Sequence, residues 1–170
     1  TTWLSPEEKS EEKFYRNGKL DGPSTFWENG FRSVMTSYKN DVPNGPWMIW
    51  YPNNDQIKEQ GFHFDGLRDG LTVYYYKNGV KQREGNFNAG YPEGVWAYWN
   101  TKSEKDFDFD FGVNLEHIDL KDLSERDKLF YKIGESAPFT GVITQENTEA
   151  GYLFLGRTNE GKKDGPWVKW

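Results

Sequence analysis

Aromatic and β-branched residues recur along most of this chain in short runs. Each run is closed by a group rich in Asn, Asp or Gly. Leu71-Thr72-Val73-Tyr74-Tyr75-Tyr76 is one such run, and its composition predicts a strand. Lys77-Asn78-Gly79 follows and predicts a hairpin turn, because Asn-Gly accepts the positive φ angles of a tight reversal. Val80 to Phe87 reads as the return strand, and Asn88 to Gly94 as a longer turn into the next unit. Glu28-Asn29-Gly30 and Pro52-Asn53-Asn54 repeat the distal turn. The expectation is an all-β chain of consecutive hairpins forming an antiparallel meander. Strands this short need stacked neighbours for stability.

The hairpins share a register. Asp21-Gly22-Pro23, Asn44-Gly45-Pro46, Asp69-Gly70-Leu71, Glu93-Gly94-Val95 and Asp164-Gly165-Pro166 read as five copies of one turn, with Thr140-Gly141-Val142 a weaker sixth. These glycines are 23, 25, 24, 47 and 24 residues apart, so the period is about 24 residues with one copy eroded. Gly22, Gly45, Gly70, Gly94, Gly141 and Gly165 are the expected structural turn positions. Counted from them, Trp47, Trp96 and Trp167 fall at +2, and Trp27, Trp50, Trp99 and Trp170 at +5, where Tyr75 stands in the third copy. Only Trp3 of the eight tryptophans lies outside these two slots. Positions +2 and +5 should face opposite sides of an undistorted strand. Either both faces carry aromatics, or a bulge brings the two together.

Asn44-Gly45-Pro46-Trp47-Met48-Ile49-Trp50-Tyr51, Lys163-Asp164-Gly165-Pro166-Trp167 and Gly61-Phe62-His63-Phe64-Asp65-Gly66 resemble the bacterial variant of the MORN repeat. Proteins of this kind are often labelled YwqK-type antitoxin components. Asp122-Leu123-Ser124-Glu125-Arg126-Asp127, leading through Tyr131 to Pro138-Phe139-Thr140-Gly141, looks like the segment that opens such arrays, with Lys128 in place of the usual glycine. The resemblance covers about Lys13 to Asn100 and Asp122 to Trp170. It implies a MORN-like meander sheet, and for function an antitoxin- or immunity-like protein that masks a partner. The repeat itself carries no chemistry.

Residues 101–128 break the pattern. Asp106-Phe107-Asp108-Phe109-Asp110-Phe111 alternates strictly, which predicts an amphipathic strand with carboxylates on one side and rings on the other. Asp106, Asp108 and Asp110 also match the first three ligands of an EF-hand loop. The glycine and the terminal glutamate of that loop are missing, since Phe111 and His117 stand there, so no calcium site is expected. Glu104 to Asp127 holds nine acids and three bases. The formal charge of the chain is −6, with 27 acids against 21 bases, so this segment accounts for all of it. A solvated linker strand is one reading of the stretch. A patch that docks a basic partner is the other.

At the N-terminus, Ser5-Pro6-Glu7-Glu8 reads as a helix start, with a cap, a proline and acids in the first turn. A short helix over residues 1–12 is expected to cap the array. Residues 13–100 then hold four hairpins, 101–128 the acidic break, and 129–170 two further units, the last reading as truncated because the pattern stops at Trp170.

Candidate catalytic groups are sparse, and no enzyme is expected. His63 fills the slot of Tyr15, Tyr38 and Phe87 in other copies and reads as a packing residue. His117 follows Glu116 without a supporting relay or metal cluster. There is no cysteine, which removes thiolate metal sites, disulfides and cysteine nucleophiles. Neither a cofactor nor a metal is implied. The acidic balance argues against nucleic acid, and a mean hydropathy of −0.95 without a long apolar run argues against a transmembrane segment.

Thirty aromatics remain, more than one thin sheet readily buries, and exposed aromatic patches mark protein interfaces. Trp27, Trp47, Trp50, Tyr75, Trp96 and Trp99 are the candidate partner-contacting rings, with Asp106, Asp108 and Asp110 beside them for a basic toxin. A homodimer through a sheet edge is compatible with an open meander. The alternative function is an exported or lipid-anchored cell-envelope scaffold. Thr1 in place of Met allows a removed leader or anchor. Localisation is cytoplasmic on the first reading and periplasmic or exported on the second.

Overall fold

A computed structural model describes residues 2–5, 8–112, 116–147 and 152–169 of the chain. The strands in chain order are β1 (Thr2–Ser5), β2 (Glu8–Glu12), β3 (Tyr15–Arg16), β4 (Lys19–Leu20), β5 (Gly22–Glu28), β6 (Phe31–Lys39), β7 (Val42–Trp50), β8 (Ile57–Phe64), β9 (Leu67–Arg68) and β10 (Gly70–Tyr75). They continue with β11 (Lys81–Asn88), β12 (Tyr91–Trp99), β13 (Lys105–Asp110), β14 (His117–Asp119), β15 (Leu123–Arg126), β16 (Leu129–Lys132), β17 (Gly141–Asn147), β18 (Tyr152–Asn159) and β19 (Lys162–Lys169). A 3-10 turn, Leu120–Asp122, lies between β14 and β15. No α-helix occurs among the described residues, and none of their helices is long and apolar enough to cross a membrane.

The main sheet has 11 strands in the order β1-β2-β5-β6-β7-β8-β10-β11-β12-β13, with β9 paired to β8. Consecutive hairpins therefore lie side by side. The short hairpins β3–β4 and β15–β16 each form a separate two-stranded sheet. A second sheet runs β14-β17-β18-β19. Its β14 pairs parallel to β17, with Ile118 opposite Ile143. A parallel pair needs a long connection, and the chain between Asp119 and Val142 supplies one that carries the 3-10 turn and β15–β16. The chain divides into two compact units, Thr1–Pro92 with Trp96–Asp108, and Glu93–Val95 with Phe109–Trp170. The second unit is centred on Phe130, Phe139 and Ile143, with Ile118, Leu120 and Leu123 packed against them.

The expected N-terminal helix does not form. Ser5 ends β1 and Glu8 begins β2, with Trp3 opposite Lys9. The far side of β2 pairs with β5, Glu11 opposite Phe26 and Glu12 opposite Thr25. A helix of two or three turns is marginal by itself. Strand pairing and the Lys9 ammonium, 4.6 Å above the Trp27 ring, outweigh the capping signal.

The distal reversals fall at Gly30 and Gly79, as expected, but between hairpins the chain turns at different glycines from those expected. Tight turns fall at Asn17-Gly18, Asn40-Asp41, Asp65-Gly66, Ala89-Gly90 and Glu160-Gly161, where both residues have positive φ, as type I′ reversals require. Gly22, Gly45, Gly70 and Gly94 lie four residues later, inside or at the start of β5, β7, β10 and β12, and also have positive φ. At Gly45 the ladder slips between Thr36 and Tyr38, which makes it a bulge glycine. Gly141 opens β17. A β-carbon there would collide with the Glu116 carbonyl and the Phe139 ring. Gly165 lies within β19.

Candidate functional site

The two sides of the main sheet can be assigned from pairing. Trp47 is opposite Gly61 on β8. A β-carbon on Gly61 would lie 2.7 Å from Thr72 Oγ1 and 3.0 Å from the Trp47 ring. Ser24 pairs with Thr36, and Thr36 with Trp47. Thr72 pairs with Gly85, where a β-carbon would collide with the Trp96 ring. Ser24, Trp47, Thr72 and Trp96 therefore form one buried row across the strands, at 1%, 3%, 0% and 1% exposure. The small residues between the two indoles are what allow the rings to lie flat on the backbone.

The opposite side carries the +5 aromatics. Gln60 pairs with Met48 and with Val73, and its amide donates to the Tyr75 hydroxyl at 3.1 Å. Tyr75 and Trp50, two residues beyond Val73 and Met48, share that side. Both faces thus carry aromatics, which answers the question left by the odd spacing. Bulges are present as well, and those beside the +5 rings lie on the return strands. The ladder skips Ser33, Lys58 and Gln82, next to Trp27, Trp50 and Tyr75. One consequence is that Lys81 and Glu84, three apart on β11, reach the same side and pair at 2.7 Å.

Cations cover these +5 rings. Lys9 lies 4.6 Å from the Trp27 centroid, Arg32 4.9 Å from Trp50, and Lys81 5.0 Å from Trp99. Each cation precedes its ring by 18 residues, and the corresponding position before Tyr75 is Ile57. Arg32 also reaches Asp55 at 3.5 Å.

On the Trp47 side, Arg68 of β9 sits between two rings, 4.6 Å from Trp47 and 5.6 Å from Phe87. It donates to Tyr74 Oη at 2.7 Å and to the buried Glu59 carboxylate at 3.2 Å. Arg83 stacks 3.8 Å over Tyr74. Burial pulls its guanidinium below the ordinary value, opposed by Tyr74 and Tyr98. Burial likewise pushes the Tyr98 phenol far up, partly offset by Arg83. Tyr98 stacks on Phe107 of β13 with centroids 4.4 Å apart and planes 9° apart. His63 stacks on Trp47 at 5.5 Å and is held below the usual imidazole value by burial first and by Arg68 second.

The candidate contact residues separate on these grounds. Trp47, Trp50 and Trp96 are buried and pack the sheet. Trp27, Tyr75 and Trp99 are half-buried. Asp106, Asp108 and Asp110 are exposed along β13. Lys105 pairs with Asp108 at 2.7 Å, while Asp110 accepts from the Gly112 amide at 2.8 Å and lies 3.9 Å from Arg157. An extended strand spreads three carboxylates along its length rather than folding them round one point. Among the described residues no group of three or more His, Asp or Glu side chains converges to hold a metal ion.

Sequence reasoning missed a group of exposed apolar side chains on the sheet. Phe62, Phe64, Leu67 and Leu71 are 55%, 62%, 51% and 52% exposed. Phe64 pairs with Leu67, and alternation puts Phe62 and Phe64 on the Gln60 side and Leu71 on the Val73 side, which is the same face. Their alternation with Gly61 and His63 was the available signal. In comparisons with known proteins, no family model matches the chain and no curated protein matches it.

Proposed function

We propose that this chain is a non-enzymatic protein-binding repeat module of the bacterial MORN-variant type, antitoxin- or immunity-like in masking a partner protein. The observation that carries the reading is the exposed apolar group Phe62, Phe64, Leu67 and Leu71 on one sheet face. A contiguous apolar patch on a polar chain is a typical protein-contact surface. The same face bears the half-buried edges of Trp27, Tyr75 and Trp99, aromatic types that serve as anchors at interfaces. The exposed Asp106, Asp108 and Asp110 favour a basic partner by steering its approach.

The repeat of about 24 residues is part of this proposal. Hydrogen bonds that recur between neighbouring hairpins support it. Tyr51 and Tyr76, both at +6, donate through Oη to the carbonyls of the +5 residues one hairpin on, Tyr75 at 2.8 Å and Trp99 at 3.0 Å. Asn29 and Asn53, in successive distal turns, bond at 3.0 Å.

Co-expression with the product of the adjacent gene tests the function. The expected result is a stoichiometric complex on size exclusion. It should weaken when Phe62→Ser and Leu71→Ser are combined, and weaken in a salt-dependent way when Asp106, Asp108 and Asp110 are changed to Asn. No complex, or a complex indifferent to both sets of changes, would count against the proposal.

A further inference from the structure

We propose that His63 makes the β8–β9 hairpin acid-labile, so that protonating one imidazole loosens the turn carrying Phe64 and Leu67. His63 and Arg68 are directly opposed across this hairpin. Both rest on the Trp47 indole, the imidazole at 5.5 Å and the guanidinium at 4.6 Å. While the imidazole is neutral, the stack holds one cation on an electron-rich ring, which is favourable. An imidazolium adds a second positive charge beside the first.

The surroundings offer that charge little relief. His63 Nδ1 is buried without a hydrogen-bond partner, so a proton added there would have no acceptor, a costly state inside a protein. From β7, the groups facing the imidazole are Gly45 and Trp47, both uncharged. From β9, the facing group is Arg68. On its own strand the nearest acid on the same side is Glu59, already engaged by Arg68 at 3.2 Å. Beyond Arg68 lie Tyr74 of β10 and Phe87 of β11, with Arg83 stacked on Tyr74. The turn acid Asp65 accepts from Asn44 at 3.3 Å. Burial and Arg68 both lower the affinity of the ring for a proton.

The sign follows from linkage. The unfolded or opened hairpin binds the proton more readily than the closed one. Its stability is therefore full above the ordinary imidazole value near 6.5 and falls as pH drops below it, towards the lowered value of the closed state. Histidine is the side chain suited to such a response. In the other hairpins the same slot holds Tyr15, Tyr38 and Phe87, which cannot acquire a positive charge, so the lability is confined to one hairpin. The inference stands whether or not the partner-masking function is correct.

The test compares the full chain with His63→Phe and His63→Gln between pH 7.5 and 5, by urea midpoint and by amide hydrogen exchange. Two reporter amides close the hairpin, Asp69 to the Phe62 carbonyl at 3.0 Å and Gly66 to the Pro43 carbonyl at 2.8 Å. Their exchange in the wild type, corrected for intrinsic rate, should rise severalfold on acidification, with a falling urea midpoint. The His63→Phe chain retains His117 and should show neither change in excess of its other groups. Parallel pH profiles for wild type and variant would overturn the proposal. Should both variants fail to fold, NMR titration of the wild-type imidazole decides. A value below the ordinary one supports the switch, and a value at or above it sinks the switch.

Discussion

The Trp96 indole occupies the space that a β-carbon on Gly85 would need, and its Nε1 donates to the neighbouring Asn86 carbonyl at 3.1 Å. Phe87, two residues along β11, meets the same indole edge-on at 5.2 Å. A glycine, an indole and a phenyl ring thus fix the spacing of two strands. Gly85→Ala should force the indole out of place and cost about 1–3 kcal/mol, the usual penalty for overpacking. Urea unfolding checks this. The same change in a Trp96→Leu background should cost clearly less, because the two sites share one contact.

The cations over the +5 rings should contribute individually. Arg32→Met removes the charge over Trp50 while keeping most of the side-chain volume. A loss of about 0.5–1 kcal/mol is expected for a cation over a tryptophan at a partly exposed site. A chemical-denaturation series on Arg32→Met and Lys81→Met, singly and together, should give additive losses, since the two rings lie on separate strand pairs.

Glu59 and Arg68 should be coupled. Glu59→Gln leaves Arg68 with the Tyr74 hydroxyl and the two rings but without its carboxylate. A loss of about 1–3 kcal/mol is expected, the range for a buried polar group deprived of its partner. In a double-mutant cycle with Arg68→Met, most of that loss should vanish. Full additivity would show that the pair contributes little beyond its packing.

Ala89 is held at φ 47° in the tight turn before β12, a conformation that costs an alanine roughly 1–2 kcal/mol. The equivalent turns at Asn17 and Asn40 use asparagine. Ala89→Asn should therefore raise stability, by about 0.5–1 kcal/mol given the asparagine preference at this turn position. The Ala89 amide contact to Asp69 at 3.4 Å uses the backbone and should survive. Differential scanning calorimetry would show the gain, and an unchanged or lower Tm would contradict the assignment of the turn.

The hairpin fold was readable because its signals are local. Asn29-Gly30 and Gly79 mark reversals through the positive φ angles they adopt, and Leu71 to Tyr75 shows its strand character through side-chain shape. The identity of the reversing glycine was not readable. Gly66 and Gly70 both adopt positive φ, and spacing cannot tell which one turns the chain and which one sits in a bulge. Ser5-Pro6-Glu7-Glu8 misled for a related reason, since its local helix signal competes with a partner strand, Thr25 and Phe26, that lies far along the chain. The candidate site was readable only as a set of aromatic positions. Exposure depends on what covers each ring, and the covering groups Lys9, Arg32 and Lys81 sit on neighbouring strands.

Two things about this protein follow from its sequence alone: a chain of antiparallel hairpins, and aromatics that recur at two fixed offsets from a glycine. Turn residues and side-chain alternation act over two to four residues, so they need no knowledge of the rest of the chain. Tertiary structure decided which indoles are buried against glycine, which are capped by a cation, where β14 joins β17 in parallel, and why Phe62 and Leu71 are left open. Each of these depends on pairing between distant residues, where the free energy comes from burying one strand's side chains against another's.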